Sequence, residues 1–160
     1  MPIDFAKATD LVAMAGLLRE LFTVESDFRP QREKQLAALR WILDHPAHGR
    51  LFVLRDAGRV VGMANALISI STAEGGPVLI LEDVILAASH RSNGHGRALV
   101  EHVMKWAESE GMHRVTLLAD RDNAAALAFY ERLGFEASAM VVRRRRLSPM
   151  PGKPTSDPAK

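Results

Sequence analysis

At 160 residues, with 48% hydrophobic and 25% charged side chains, the chain is long enough for one buried core and short for two. Its 21 Lys and Arg against 19 Asp and Glu leave a formal charge of +2, no polycation built to coat nucleic acid, and the lack of Cys excludes disulfides, a thiolate nucleophile and Cys-ligated zinc or iron–sulfur centres. The charge is uneven: the residues from Met140 onward carry a net +5, from four Arg and two Lys against Asp157, and the first 139 residues carry −3.

Residues 3–6 read as a short extended start. Leu11, Met14, Ala15, Leu17, Leu18, Leu21 and Phe22 then recur at helical spacing behind Thr9 and Asp10, either of which suits a cap. Arg29-Pro30 interrupts the chain, and Leu36, Leu39, Trp41, Ile42 and Leu43 make a second helix that stops before Pro46. Residues 51–54 and 60–70 flank Asp56-Ala57-Gly58 as a β-hairpin, and residues 78–86 follow the Gly75-Gly76-Pro77 turn as a third antiparallel strand. A third helix spans about 94–110, with Leu99, Val100, Val103, Trp106 and Ala107 inward and Gly111 ending it. Residues 115–118 form the next strand, 123–133 an Ala-rich helix closed by Gly134, and 135–147 hold at least one last strand. The stretch 148–160 has four of the chain's eight Pro and is expected to be a weakly ordered tail behind a single domain of residues 1–147.

This order predicts a mixed α/β fold: a mixed, mostly antiparallel central sheet with one right-handed β-α-β crossover, formed by strand 78–86, the third helix and strand 115–118. No run reaches the roughly 18 apolar residues of a membrane span, and Met1 to Lys7 shows no basic region followed by an apolar run. A cytoplasmic protein without membrane attachment is expected.

Inside the crossover, the strand runs into Ala87-Ala88-Ser89-His90-Arg91-Ser92-Asn93-Gly94-His95-Gly96-Arg97. Two Gly two residues apart let the backbone approach a ligand, the helix start offers free N–H groups and a positive dipole end, and Arg91 and Arg97 add charge. An anion such as a pyrophosphate suits this loop; an ordinary Gly-containing loop with solvated Arg fits the glycines equally well. A P-loop would need Gly-Lys-Ser or Gly-Lys-Thr where Gly96-Arg97-Ala98 stands. A dinucleotide fingerprint would need glycines directly after the strand and a small residue at Leu99. Asp120 does mimic its ribose-binding acid, but seven residues separate Leu86 from Gly94.

Taken together, Arg91-x-x-Gly94-x-Gly96-Arg97-Ala98-Leu99 and the later Asn123-x-x-Ala126-x-x-Phe129-Tyr130-x-x-x-Gly134-Phe135 resemble the GNAT superfamily of acetyl-CoA-dependent N-acetyltransferases. The resemblance covers roughly residues 3–147 and implies a single-domain GNAT-like fold with helices on both faces of the sheet. It implies an enzyme that moves the acetyl group of acetyl-CoA to a primary amine, on a small molecule or a protein, by direct attack in a ternary complex. The alternative is a catalytically inactive acyl-CoA-binding sensor or scaffold.

The resemblance assigns roles residue by residue. Arg91, Ser92, Asn93, Gly94, His95, Gly96 and Arg97 would hold acetyl-CoA, with Leu86 offering backbone groups to the pantetheine arm unless a bulge shifts the register. Asn123 suits a helix cap and also matches a family residue that contacts the cofactor region. Tyr130 matches the Tyr that lies beside the CoA sulfur, the general acid; a packed core aromatic is its structural alternative. Glu82 stands where several members carry a carboxylate base, with a salt bridge to Arg as the alternative, and Asp83 would face the opposite side of a regular strand. Two adjacent carboxylates in an apolar strand cost desolvation, so at least one needs a partner or a task. Glu25, Asp27 and Phe28 would meet the acceptor, where acidic groups suit a cationic amine.

The six His (45, 48, 90, 95, 102 and 113) show no metal-ligand spacing, so no metal is expected. Arg143 to Arg146, laid in a strand, would point two each way rather than form one basic face, which favours edge protection or a homodimer salt bridge over nucleic-acid binding.

Overall fold

The computed structural model describes residues 1–24 and 31–147. The elements are β1 (Ile3–Phe5), α1 (Leu11–Val24), α2 (Arg32–Asp44), β2 (Gly49–Asp56), β3 (Arg59–Ser71), β4 (Gly76–Leu86), α3 (His95–Ser109), β5 (Val115–Leu117) and α4 (Ala124–Glu131). The sheet order is β1-β2-β3-β4-β5. Every neighbouring pair is antiparallel except β4 and β5, which run parallel across the α3 connection, as the β-α-β reading requires.

Alternation along the strands supplies two cores. On one face Leu51, Val53, Met63 and Ile85 pack under Met14, Leu17 and Leu18 of α1 and Leu39 of α2. On the other, Phe52, Leu54, Ala64, Ala66, Leu79, Leu81 and Leu86 pack under Leu99, Val100, Val103 and Ala107 of α3. Because successive side chains of a strand point to opposite faces, a strand apolar at nearly every position must be covered on both sides. The fully buried Ala64 and Ala66 leave room for α3 to lie close to the sheet. Phe129, Tyr130 and Leu133 of α4 and the following Phe135 extend the α3-side core.

Asp10, expected as a helix cap, has a larger task. Its carboxylate receives both Nη1 and Nη2 of Arg55 at 2.9 and 2.7 Å, and the Lys7 N–H at 2.7 Å. The two side chains are 7% and 16% exposed, so the pair ties the turn before α1 to the end of β2 away from water.

The expected last strand is corrected. Among the described residues no strand follows α4: residues 136–147 run without sheet pairing, and Met140, Val141, Val142 and Leu147 are exposed, as are Arg143 to Arg146. A strand needs a neighbour to take its N–H and C=O groups, and no described strand pairs with this stretch. The tail at 148–160 lies outside them. No helix among the described residues is long and apolar enough to cross a membrane.

The Arg55 guanidinium holds the Asp10 carboxyl below its ordinary value of 3.8, against the opposing effect of burial. A lowered folded-state pKa stabilises the fold fully above the unfolded value and is lost as pH falls through the folded one. Asp10→Asn should therefore lower stability by about 2 kcal/mol near neutral pH, because Arg55 then keeps only the exposed Asp4 carboxylate, 3.7 Å from its Nε. It should also flatten the acid side of the stability profile below about pH 4. Urea unfolding across pH checks both; an unchanged acid limb in the variant would assign the clamp no role.

Candidate active site

The parallel pairing of β4 with β5 covers only Leu79, Ile80 and Leu81 against Val115, Thr116 and Leu117. Beyond that point β5 ends while β4 continues to Leu86, so the two chains part and leave a cleft of about 380 Å³. One wall is Leu81, Glu82, Asp83 and Val84 of β4; the other is Leu118, Ala119, Asp120 and Asp122; α4 adds Asn123, Ala126 and Tyr130, and α1 adds Leu21.

Asp83 does not take the opposite face. Met63 pairs with Ile85 but Asn65 pairs with Glu82, so one residue of β3 stands against two of β4. This is a β-bulge, and Asp83 within it has a left-handed backbone (φ 51°). The extra residue breaks the alternation, and both carboxylates line the same cleft. The Asn65 amide donates through Nδ2 to the Asp83 carboxylate. Asn65 is itself only 4% exposed, and its Oδ1 has no hydrogen-bond partner among the described residues.

Tyr130 lies in the last turn of α4. Its ring packs edge-on against Phe129 and Phe135, with centroids 5.0 and 5.7 Å away, and it also lines the cleft with Glu82. Asn123 caps α4: its Oδ1 accepts the Ala126 N–H at 3.1 Å, and its side of the helix start borders the cleft.

The loop between β4 and α3 combines two left-handed residues with an uncapped helix start. Ser92 and Gly94 both have left-handed backbones (φ 65° and 78°), a curvature that turns successive N–H groups to one side. No side chain caps α3, whose first N–H groups, at His95, Gly96 and Arg97, have no intrahelical acceptor. Arg91 folds back, donating Nε to the Leu86 carbonyl at 2.9 Å and reaching Glu20 of α1 at 3.5 Å. Arg97 joins the start of α3 to the end of α4, bonding Glu101 at 3.2 Å and the Arg132 carbonyl at 3.3 Å. Asn93 is exposed at the loop tip, and half-buried His95 lies 6.5 Å from the His90 ring, which is held between Ser89 and Asp56.

Leu86 lies beneath this loop rather than in the cleft wall, its carbonyl taken by Arg91. The bulge brings Val84 to the wall instead. Glu25, Asp27 and Phe28 fall outside the described residues. Sequence reasoning missed Asn65, Leu21, Val84 and Asp122. Of these, Asn65 had a local signal, as a lone polar residue in the apolar run of β3. Among the described residues no three His, Asp or Glu side chains are grouped to share a metal ion.

A family model described as the Acetyltransferase (GNAT) family matches residues 11–135. A glucosamine 6-phosphate N-acetyltransferase from Trypanosoma brucei brucei is 33% identical over 95 residues, 59% of this chain and 63% of that protein, so the match spans less than two thirds of the relative. An aminoglycoside N(6')-acetyltransferase type 1 from Salmonella typhimurium is 26% identical over 151 residues, 91% of this chain and 99% of the relative. In fold, the chain resembles an aminoglycoside N-acetyltransferase, AAC(6')-Iy, solved in complex with CoA, with TM-score 0.77 and 24% identity over 91% of this chain and 93% of that one.

The two loop glycines differ in kind. At Gly94 the positive φ penalises any Cβ, although space is open around it; at Gly96 a Cβ would meet Phe129 and Leu86 at 3.5 and 3.6 Å, ordinary contact. Gly94→Ala should cost about 1–2 kcal/mol and lower Tm by several degrees, whereas Gly96→Ala should leave Tm unchanged or raise it slightly. Calorimetry of the two variants checks this; equal losses would contradict the assigned backbone.

Proposed function

The chain belongs to the GNAT acetyltransferase family, and from that premise we propose that it transfers the acetyl group of acetyl-CoA to a primary amine by direct attack in a ternary complex. The observation that carries this reading is that Glu82 and Tyr130, forty-eight residues apart in sequence, line one cleft at the parting of β4 and β5, with the uncapped start of α3 at the end of the same β4 strand.

The residues present fit acetyl-CoA. The left-handed turns at Ser92 and Gly94, the free N–H groups at the start of α3 and the adjacent Arg91 and Arg97 suit a pyrophosphate. The parted β4 edge leaves main-chain groups of Asp83 and Val84 beside the cleft, which suit an extended arm carrying amides. When bound there, acetyl-CoA supplies an activated acyl group and a thiol leaving group.

The chain's own residues then handle protons. A free alkyl ammonium has a pKa of about 10, so the amine must lose a proton before it attacks. Glu82 accepts that proton, directly or through a water, which frees the nitrogen lone pair for the thioester carbon. As the C–N bond forms, charge grows on the carbonyl oxygen, which needs N–H donors; the parted β4 edge is the nearest source of them. As the C–S bond breaks, Tyr130 donates its phenolic proton to the departing sulfur. A thiol pKa of about 8.5 against about 10 for the phenol makes this transfer modestly uphill; the nitrogen sheds its second proton to solvent as the amide forms, and Tyr130 regains a proton from solvent.

The test is release of free thiol from acetyl-CoA in the presence of a panel of amines. Binding of acetyl-CoA without turnover on any amine would instead make the chain a CoA-binding module.

Tyr130 is the chain's only Tyr, so no other phenol can replace it. Tyr130→Phe should keep the packing with Phe129 and Phe135, hold acetyl-CoA affinity and Tm nearly constant, and lower kcat by about 10²–10⁴. A thioester with a less basic thiol should be much less sensitive to the change; equal losses on both thioesters would make Tyr130 a positioning group.

Glu82→Gln retains shape and removes the base. It should lower kcat/KM by about 10²–10⁴ and abolish the acidic limb of its pH profile, as measured by stopped thiol-release assays across pH. A loss of only a few-fold would make Glu82 structural.

A further inference from the structure

An anion held by main-chain N–H groups binds best when those groups are fixed before it arrives, because every residue that must be ordered on binding lowers the affinity. The β4–α3 loop supplies little of that order itself. From Ser92 to Arg97 no main-chain N–H is taken by a main-chain carbonyl among the described residues, and Ser92, Asn93 and Gly94 are exposed. The downstream end is fixed by α3, through the buried Leu99 and Val100. The upstream end depends on the two residues that precede the left-handed turn. Arg91 is held by the Leu86 carbonyl, within the crossover, whereas His90 is held from outside it.

After Leu86 the chain passes the start of β3, where the Ala87 N–H donates to the Val61 carbonyl at 2.8 Å. The short 3-10 helix Ala88–His90 then brings the His90 ring to the end of β2. There Nε2 lies 3.1 Å from Oδ2 of Asp56, and Nδ1 lies 2.9 Å from Oγ of Ser89. An ionised carboxylate only accepts, so Nε2 is the donor, and with both nitrogens engaged the ring is fixed in its plane. Pairs of long surface side chains are worth little, since ordering them offsets the attraction. These two side chains are short, and that of His90 is only 17% exposed. The His90 bond also holds the Asp56 carboxyl below its ordinary value of 3.8, against the effect of burial, with Arg59 across the hairpin adding a weaker pull the same way.

Resting on the reading that this loop holds the pyrophosphate of acetyl-CoA, we propose that Asp56 is a positioning residue for the cofactor: acting through His90, it fixes the upstream end of the loop so that the N–H groups beyond it face the anion before it binds. Asp56 closes β2, which β3 separates from β4, and it does not line the cleft. Its side chain therefore bears on cofactor affinity and not on the proton transfers assigned to Glu82 and Tyr130.

The deciding experiment is calorimetric titration of the full chain with CoA, with thiol release at varied acetyl-CoA beside it. Asp56→Ala should raise the Kd for CoA and the KM for acetyl-CoA by about ten-fold, the worth of one charge-assisted hydrogen bond after screening by solvent, while kcat at saturation stays unchanged. His90→Phe keeps a ring and loses both nitrogens, and it should raise the Kd by a similar factor. The double variant should bind no worse than either single one, because Asp56 acts only through His90. Asp56→Asn still offers Oδ1 to Nε2 and should fall between wild type and Asp56→Ala. A Kd for Asp56→Ala equal to that of wild type overturns the proposal while leaving CoA binding and acetyl transfer in place. Losses that multiply in the double variant also overturn it, and would mean that Asp56 serves Arg59 across the hairpin instead. Wild-type protein that does not bind CoA would remove the reading of the loop and the proposal with it. Should Asp56→Ala fail to fold, Asp56→Asn alone and combined with His90→Phe makes the same comparison.

Discussion

Backbone N–H and C=O groups in a sheet are normally taken by the next strand, and a strand that loses its neighbour midway must find other partners or water for them. That loss is what β4 undergoes after Leu81. On its β5 side the remaining five residues have no strand beside them among the described residues, and the cleft lies along this seam. The carboxylates of Glu82 and Asp83 open onto it, α4 closes its far end with Tyr130, and the β4–α3 loop begins where β4 finishes. The seam needs a rigid strand on one bank, because a β4 free to relax would swing over and resume pairing.

Packing on both faces of β4 supplies that rigidity. Just past the bulge, Ile85 is buried in the core under α1 and α2, and the next residue, Leu86, in the core under α3; just before it, Leu81 is anchored on the α3 side. The strand is thus held above and below on either side of an irregular step. The step itself forces Asp83 into a left-handed backbone, which costs about 1–2 kcal/mol for a residue with a side chain. The hydrogen bond from Asn65 offsets part of that. On the opposite bank, Arg97 links α3 to the end of α4, so the helix that brings Tyr130 is tied to the helix that begins at the anion loop.

What could be read in the sequence follows from how local each cause is. Gly111 and Gly134 end helices because their positive φ suits the turn there, and both ends were legible. The alternation that buries Leu51 and Val53 against one layer and Phe52 and Leu54 against the other needs only the period of a strand. The pairing of an anion loop with a later Asn, Phe and Tyr was legible as a motif, without the distance between them. Asp83 was misplaced because its orientation is decided by pairing with Asn65, eighteen residues away, and nothing in Leu-Glu-Asp-Val announces a bulge. Asp10 was read as a cap since a short-range role was available to it; its bond to Arg55 spans forty-five residues. A last strand within 135–147 rests on propensity alone, which says nothing about whether a neighbour exists to pair with.

A site made by parting two strands differs from one hollowed out of a core in how freely it can change. The side chains that face the seam from Leu118 to Asp122 come from a connection rather than from either packed layer, and Leu118 is exposed while Ala119 and Asp120 are half-buried. Substitutions there alter the shape and charge of one bank without opening voids beneath the helices, so they carry little of the thermodynamic load that core changes impose. Such a scaffold lets recognition drift under selection, or be redesigned, while the machinery proposed for Glu82, Tyr130 and the α3 loop stays fixed. The short irregular passage between β5 and α4 is therefore the place where a library of variants would most readily give new acceptor preferences from the same folded frame.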